Sequence, residues 1–222
     1  MDVQVISDVV CPWCRIGKVN LRKAAEQWTA ETGEPVNVIF LPFLLDPIQP
    51  DELGEGFIER FTKRKGMPED QVQKMFDQVT QVGQNYGLHY DFSKIEKAVD
   101  TVPAHEMMEL VPEGKRERLM DTMMEWYFEH GANVGDVDVL LKIGREAGLD
   151  DAELNALEQP LRNRRMQPQV MAMIQQVQQA GVSGVPFFIL NGRLAVQGGQ
   201  PPEVFLDALR QAKAAEAQEA SE

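Results

Sequence analysis

The two cysteines of this 222-residue chain lie where a predicted strand runs into a predicted helix. Residues 3–7 (VQVIS) are rich in β-formers, and apolar residues recur at helical spacing from Ile16 onwards. Cys11 and Cys14 stand between the two segments, and Pro12 occupies a position that the first turn of a helix tolerates. Strands that alternate with helices are typical of α/β folds, so we predict an α/β chain with both thiols at this junction.

The position of the two cysteines predicts redox chemistry. Backbone N–H groups at the start of a helix have no intrahelical partner, and the helix dipole adds partial positive charge there. A thiolate on Cys11 would be stabilised by both, which raises the fraction that can attack a disulfide. Cys14 follows one turn later, with its Cα expected at about 5 Å, within the range of a disulfide. We therefore assign Cys11 as the nucleophile and Cys14 as the thiol that resolves a mixed disulfide.

Two other interpretations of the cysteine pair compete with this one. The pair could be half of a structural zinc site, but the chain has no second cysteine pair to complete it. The three histidines also lack the spacing of such a site: His89, His105 and His130. No metal is therefore predicted. The pair could instead be two inert core cysteines, which the strand–helix position makes the weaker interpretation.

Charge and hydropathy limit the partners and the compartment. The net charge is −13 and the isoelectric point is about 4.7, which disfavours nucleic acid or an anionic membrane as a partner. No apolar run approaches the ~20 residues of a membrane span, and no signal-like segment precedes the first strand. We therefore expect a cytoplasmic protein. In that reducing compartment a lone C-x-x-C motif beside a strand is more often redox-active or metal-binding than a structural staple.

The next segment predicts a second strand and an exit from the sheet. Gly33 predicts the end of the first helix. Residues 36–41 (VNVIFL) form a nearly continuous apolar run, which is typical of a central strand covered on both faces. Pro42, Pro47 and Pro50 then predict an extended exit, because proline cannot continue a ladder of hydrogen bonds.

The remaining chain changes from helices back to strands. From about residue 52 to residue 180 apolar residues recur at helical spacing, and ten of the eleven methionines lie there. Asp150 and Glu153 have the spacing of a capping box within this block. Near the end, Asn191-Gly192 predicts a hairpin between residues 184–190 and 193–196, and a terminal helix follows.

In this order the segments resemble the DsbA family of thioredoxin-fold oxidoreductases, and most closely its FrnE-like cytosolic subgroup. Five motifs carry the resemblance: SDVVCPWCRIG (7–17), LPFLLDP (41–47), T-x-x-A-H (101–105), GVPFF (184–188) and QGGQP (197–201). It implies an α/β, thioredoxin-like fold with a large all-helical insertion domain. Residues 1–46 and 182–222 would form the thioredoxin-like domain, and residues 47–181 would form the insertion.

The resemblance also implies further site residues. Val185–Pro186 would be a cis peptide bond that faces the cysteine pair and leaves the backbone of Val185 free to pair with an extended substrate. Pro12 and Trp13, between the cysteines, would support the site and tune the thiolate. Thioredoxins carry a buried acid six residues before the first cysteine, where this chain has Val5.

Two other polar residues are candidates for the site. Asp8 is nearer to the cysteines than the position of the thioredoxin acid, and it either moves a proton or only caps the turn. His105 would approach the sulfurs if the insertion folds over them, and it is otherwise a structural histidine. The residues alone do not decide between these roles.

Three functions are compatible with the sequence. The first is a thiol–disulfide oxidoreductase or isomerase that uses the Cys11-Pro-Trp-Cys14 dithiol on protein or peptide disulfides. It would need no cofactor beyond its redox-active disulfide, an unidentified reductant or oxidant would complete its cycle, and glutathione is a candidate co-substrate. The second is a glutathione-dependent isomerase or transferase similar to the kappa-class transferases and 2-hydroxychromene-2-carboxylate isomerases, which usually have serine at the position of Cys11. The third is a non-catalytic binding or chaperone module that uses the methionine-rich block.

Overall fold

The computed structural model of the protein describes residues 1–49 and 52–219, so the prediction for Pro50 lies outside the described residues. The chain forms two compact units. The first consists of Met1–Phe43 and Met173–Glu222, and the second consists of Leu44–Ala172. The sequence places the corresponding junctions at 46/47 and 181/182, whereas the units divide at 43/44 and 172/173.

The first unit is built on a mixed sheet of four strands. These are β1 (Asp2–Ser7), β2 (Asn37–Pro42), β3 (Phe187–Leu190) and β4 (Leu194–Gln197). Their order across the sheet is β2-β1-β3-β4, with β1 parallel to β2 and antiparallel to β3. The hairpin prediction is confirmed, since Asn191 and Gly192 join β3 to β4 and both have positive φ. This is a thioredoxin-like arrangement, as the resemblance implies.

The prediction that residues 36–41 form a central strand is wrong, because β2 lies at an edge of the sheet. Its side chains agree with that position: Asn37 is exposed and only Phe40 and Pro42 are buried. Pro42 costs no ladder bond at an edge, where its missing N–H would face away from β1. The interior strands are β1 and β3, and β1 has buried residues on both faces, including Val5 and Ile6.

Two long helices accompany this sheet. Helix α1 (Pro12–Thr32) ends as predicted at Gly33, whose φ of 74° is left-handed and whose N–H donates to the Thr29 carbonyl at 2.8 Å. Helix α9 (Pro202–Glu219) packs along α1. The ring of Phe205 on α9 lies edge-on to Phe188 of β3, with centroids 4.7 Å apart, so the helix is fixed to the sheet by an aromatic contact.

The second unit is mainly helical in its described part. Its helices are α2 (Phe57–Lys65), α3 (Glu69–Gln84), α4 (Val102–Leu110), α5 (Glu113–His130), α6 (Val137–Glu146), α7 (Asp151–Arg162) and the start of α8 (Gln167–Gln179). The capping box is confirmed at α7: the Glu153 N–H donates to Asp150 Oδ1 at 2.9 Å, and the Asp150 N–H donates to Glu153 Oε2 at 2.8 Å. No described helix has the length and apolar character needed to cross a membrane.

The core of the second unit is aromatic and methionine-rich. Phe76 stacks between Phe57 and Phe92, with ring centroids 5.6 Å and 4.2 Å away. Five of the methionines are buried: Met107, Met108, Met120, Met123 and Met124. Methionine fills irregular spaces in a helical core, and the burial of these five favours that packing role over an exposed binding surface.

Candidate active site

The turn between β1 and α1 places the first cysteine at the end of a helix. The Cys11 N–H donates to the Asp8 carbonyl at 3.1 Å, which closes the turn that follows β1. Cys11 then caps α1 in an extended conformation, and its Sγ accepts the N–H of Cys14 at 3.2 Å. The sulfur of Cys11 therefore takes the place that a serine or aspartate oxygen takes at many helix starts, beside unpaired backbone donors.

Cys11 and Cys14 are not joined by a disulfide in this structure, and both side chains are well shielded from solvent. Cys11 is 2% exposed and Cys14 is 1% exposed. Burial raises the pKa of Cys14 well above the ordinary thiol value, and the hydrogen bond with Cys11, the charge of Cys11 and the charge of Asp8 raise it further. A hydrogen bond with the backbone of Asp8 acts in the opposite direction. Cys14 therefore keeps its proton, which suits a thiol that acts second.

The loop before β3 lies next to the first cysteine. The peptide bond between Val185 and Pro186 is cis, and the Val185 carbonyl lies 3.8 Å from Cys11 Sγ. The sheet explains this approach, since β3 is antiparallel to β1 with Ile6 opposite Phe187. The residues just before β3 and just after β1 therefore meet at one end of the sheet.

Trp13 provides the exposed apolar surface beside the thiols. Its side chain is 38% exposed, while the neighbouring Pro12 is half-buried. The main chain of Gly199 lies close to Trp13: a Cβ on Gly199 would be 3.1 Å from the Trp13 carbonyl oxygen and 3.4 Å from its Cε3 atom. One edge of the indole is thus fixed by backbone, and the rest faces solvent.

The two remaining predicted residues lie in different units. Asp8 is in the β1–α1 turn, fully buried, and close enough to Cys14 for its charge to affect the pKa of that thiol. His105 is on α4 of the second unit and is also buried. The first unit thus brings together Cys11, Cys14 and Asp8 with Trp13 and Val185. Among the described residues, no group of three or more His, Cys, Asp or Glu side chains is arranged to hold a metal ion.

Another polar residue near this end of the sheet, Asn20, is not among the residues predicted from the sequence. Asn20 is fully buried on α1, and its Nδ2 donates to the Gln200 carbonyl at 2.9 Å. A signal for it exists, because Asn20 falls four residues from both Ile16 and Ala24, within the apolar stripe of the helix. A buried amide in such a stripe nearly always has a hydrogen-bond partner elsewhere in the fold.

Comparison with known proteins gives one family for nearly the whole chain. The family model described as "DSBA-like thioredoxin domain" matches residues 2–210. The crystal structure of a probable DsbA oxidoreductase from Streptomyces coelicolor is 31% identical, with a TM-score of 0.83 over 96% of this chain and 90% of that chain.

Two further proteins are similar at lower identity. The uncharacterized protein YwbO of Bacillus subtilis is 26% identical over 210 residues, which are 94% of this chain and 96% of that protein. The cytosolic disulfide reductase DsbM from Pseudomonas aeruginosa, solved with glutathione, is 18% identical, with a TM-score of 0.59 and full coverage of both chains. At this identity the DsbM structure is evidence for the fold alone.

Proposed function

The chain belongs to the DSBA-like thioredoxin domain family, and on that basis we propose that it is a thiol–disulfide oxidoreductase acting on protein or peptide disulfides through Cys11 and Cys14. One observation carries the proposal. The sulfur of Cys11 lies 3.2 Å from the Cys14 backbone nitrogen and 3.8 Å from the Val185 carbonyl. The sulfur of the nucleophile thus contacts both the residue that carries the resolving thiol and a backbone edge for the substrate.

In the first step Cys11 loses its proton to water and attacks one sulfur of the substrate disulfide. A bond forms between Cys11 and that sulfur, the substrate S–S bond breaks, and the other substrate sulfur leaves as a thiolate that takes up a proton. The Cys14 N–H supports this step, because it already donates to the Cys11 sulfur and stabilises negative charge there.

In the second step Cys14 resolves the mixed disulfide. Its proton passes to the buried carboxylate of Asp8, and its sulfur attacks Cys11. The Cys11–Cys14 disulfide forms, the second substrate sulfur leaves as a thiolate that takes up a proton from water, and Asp8 returns its proton to water, so the substrate gains the two electrons that the dithiol loses. The same steps in reverse oxidise a substrate when the protein begins as the disulfide.

The other candidates position the substrate. Val185 offers backbone to an extended chain next to Cys11, Pro186 fixes the direction of that loop, and Trp13 offers an exposed apolar face. Pro12 begins α1 without needing a hydrogen-bond donor. His105 takes no step in this mechanism.

The compartment, the subgroup and the small-molecule partner of the protein are also proposals. We place the protein in the cytoplasm, in the FrnE-like subgroup, with glutathione as the candidate small-molecule partner. The lone dithiol fits a reducing compartment, and DsbM, a protein of the same fold solved with glutathione, is named a cytosolic disulfide reductase. Fractionation of the native host cell tests the compartment, and recovery outside the inner membrane would contradict it.

The test combines two cysteine variants with redox equilibration. In defined mixtures of reduced and oxidised glutathione, the wild-type protein is expected to interconvert between a dithiol and an internal disulfide. Cys11→Ser should lose all turnover of a protein disulfide, and Cys14→Ser should accumulate covalent complexes with the substrate. Turnover that is unchanged in Cys11→Ser would remove the mechanism.

The same variants separate the proposal from a glutathione-dependent isomerase. That activity needs no resolving thiol, so isomerisation of a chromene carboxylate would survive Cys14→Ser. The presence of two adjacent thiols favours the disulfide chemistry, because the second thiol would have no part in the isomerisation.

A further inference from the structure

The loop between β4 and α9, residues 198–201, connects the two halves of the candidate site. Toward the cis peptide bond, the Gly198 N–H donates to the Pro186 carbonyl at 2.9 Å. Toward α1, the Gln200 carbonyl accepts the Asn20 side chain at 2.9 Å. The 198–201 loop is therefore bonded both to the loop that faces Cys11 and to the helix that begins at Cys11.

Close backbone packing accompanies these bonds. A Cβ on Gly17 would be 3.3 Å from Gly199 Cα and 2.9 Å from the ring of Phe188, so only glycine lets α1 approach the loop and β3 this closely. The contacts form a closed circuit: from Cys11 along α1 to Asn20, across to the 198–201 loop, on to Pro186, and back through the Val185 carbonyl to Cys11.

Besides the contact of the Cys11 thiol with the Val185 carbonyl, this circuit contains the side-chain hydrogen bond of Asn20, which lies far from the sulfur chemistry. It follows Cys11 by more than two helical turns, which is about 13 Å along the axis at 1.5 Å per residue. Its Nδ2 bonds the loop, whereas its buried Oδ1 has no hydrogen-bond partner among the described residues. The fold thus retains a buried, half-satisfied amide at a place where an apolar side chain would pack without that cost.

We propose that Asn20 is a positioning residue that holds the backbone of Val185 against Cys11 and so governs recognition of the peptide chain around a substrate disulfide. The inference rests on the proposed function. Asn20 touches neither sulfur nor substrate, and it acts through the 198–201 loop. Loss of its hydrogen bond frees that loop from α1 and lets the Val185 carbonyl move relative to the sulfur.

The test compares two disulfides that differ only in whether they carry a peptide backbone. Prereduced wild-type and Asn20→Leu proteins are mixed in single turnovers with a disulfide-linked extended peptide or with hydroxyethyl disulfide. Asn20→Leu is expected to lower the rate constant for the peptide about tenfold, mainly through weaker binding, because a small displacement of positioning groups is costly. The rate with hydroxyethyl disulfide and the Cys11–Cys14 reduction potential should remain unchanged.

Folding is controlled within the same experiment. Leucine has the same branched heavy-atom skeleton as asparagine and removes the unsatisfied Oδ1 together with the hydrogen bond, but it is larger, so the thermal midpoint of Asn20→Leu is measured beside the rates to detect overpacking. Asn20→Asp, which keeps the shape but removes the donor, is a second variant with the same expected selectivity. Asn191→Gly is the matched control: it breaks the bond from the Asp2 N–H to Asn191 Oδ1, 2.8 Å, at the opposite end of the sheet, and should leave both rates unchanged.

The possible outcomes are distinct. Equal loss on both disulfides, or no loss on either, overturns the positioning role of Asn20 while the proposed oxidoreductase function remains. Failure of the wild-type protein to react with either disulfide overturns the proposed function itself.

Discussion

The two ends of the four-stranded sheet treat their polar groups in opposite ways. Where β1 begins, the Met1 amine pairs with Glu34 at 3.0 Å, and the Asp2 N–H donates to the Asn191 side chain at 2.8 Å. Where β1 ends, Ser7 Oγ and, further along α1, Asn20 Oδ1 are buried without a hydrogen-bond partner among the described residues, and Trp28 Nε1 near the end of α1 is a further such atom away from the thiols. That second end also holds both thiols.

This difference between the two ends affects the free energy of unfolding. A buried polar atom without a partner costs about 1–3 kcal/mol, whereas a paired group near the surface contributes roughly 1 kcal/mol or less. Unsatisfied groups of this kind concentrate at functional sites, because chemistry sets their positions there instead of packing. The paired groups where β1 begins therefore add stability, whereas the unsatisfied groups where β1 ends reduce it beside the proposed reactive cysteines.

The largest effect is expected at the end of the sheet that holds Cys11 and Cys14, in the step that moves the Cys14 proton. Asp8→Asn removes the proposed acceptor for the Cys14 proton, and the resolving step should slow about 100-fold, within the range of a lost general base. The measurement is release of substrate thiol from a preformed mixed disulfide on Cys11. The initial attack by Cys11 on the same substrate serves as the internal control.

An increase in the resolving rate would contradict the proposed role of Asp8. The carboxylate also raises the pKa of Cys14 through its charge, so a variant in which only that effect disappears would hold more Cys14 thiolate and resolve faster. The direction of the change thus decides between proton acceptor and simple charge repulsion.

A smaller effect, on the stability of the fold, is expected at the other end of the sheet, where β1 begins. Asn191→Gly should lower the free energy of unfolding by about 1 kcal/mol, through the lost bond from Asp2 and the added freedom of glycine in the unfolded chain. The φ of Asn191 is 47°, so glycine causes no backbone strain there. Urea denaturation measures the loss. If the rate of disulfide exchange fell as well, the two ends of the sheet would be energetically coupled, and the contrast drawn between them would be wrong.

The smallest effect is a pH dependence at Glu34. Its carboxylate pairs with the Met1 amine at 3.0 Å and with Lys213 at 3.1 Å, and these bonds hold its pKa below the ordinary carboxyl value. A depressed pKa contributes stability above the unfolded-state pKa, and that stability disappears as the pH falls through the folded-state value. Glu34→Gln should therefore be less stable than wild type near neutral pH, by less than about 1 kcal/mol.

That difference should vanish in acid and shrink with added salt, because the pairs are partly exposed. Urea midpoints of the two proteins at neutral and acidic pH give the comparison. A gap that persists below the folded-state pKa would show that Glu34 acts through packing and not through its charge.

The sequence predicts the parts of this fold that depend on neighbouring residues. The turn at Asn191-Gly192, the end of α1 at Gly33 and the capping box at Asp150 all follow from local backbone preferences. The edge position of β2 does not, because strand order depends on pairing between distant segments and an apolar run occurs at either position.

The candidate site likewise combines features that the local sequence predicts with features that depend on distant residues. The junction that carries Cys11 and Cys14 is local, and the residues alone indicate it. The approach of Val185 to Cys11 spans 174 positions, and only the resemblance to a known family made it predictable. The bond between Asn20 and the Gln200 carbonyl spans 180 positions, and no pattern in the sequence gives the partner of a buried amide at that distance.

The first unit is formed by two segments that are far apart in the sequence, so it cannot be completed early in synthesis. β1 lies between β2 and β3, and β3 begins only at Phe187, so the sheet stays incomplete until most of the chain exists. At a synthesis rate of ~5–20 residues per second, the segment from Cys14 to Val185 takes roughly 10–30 s to emerge. For that interval the nascent chain presents two thiols whose sheltering loop has not been made. Until β3 pairs with β1, the two cysteines therefore lack the shielding from solvent that they have in the folded protein.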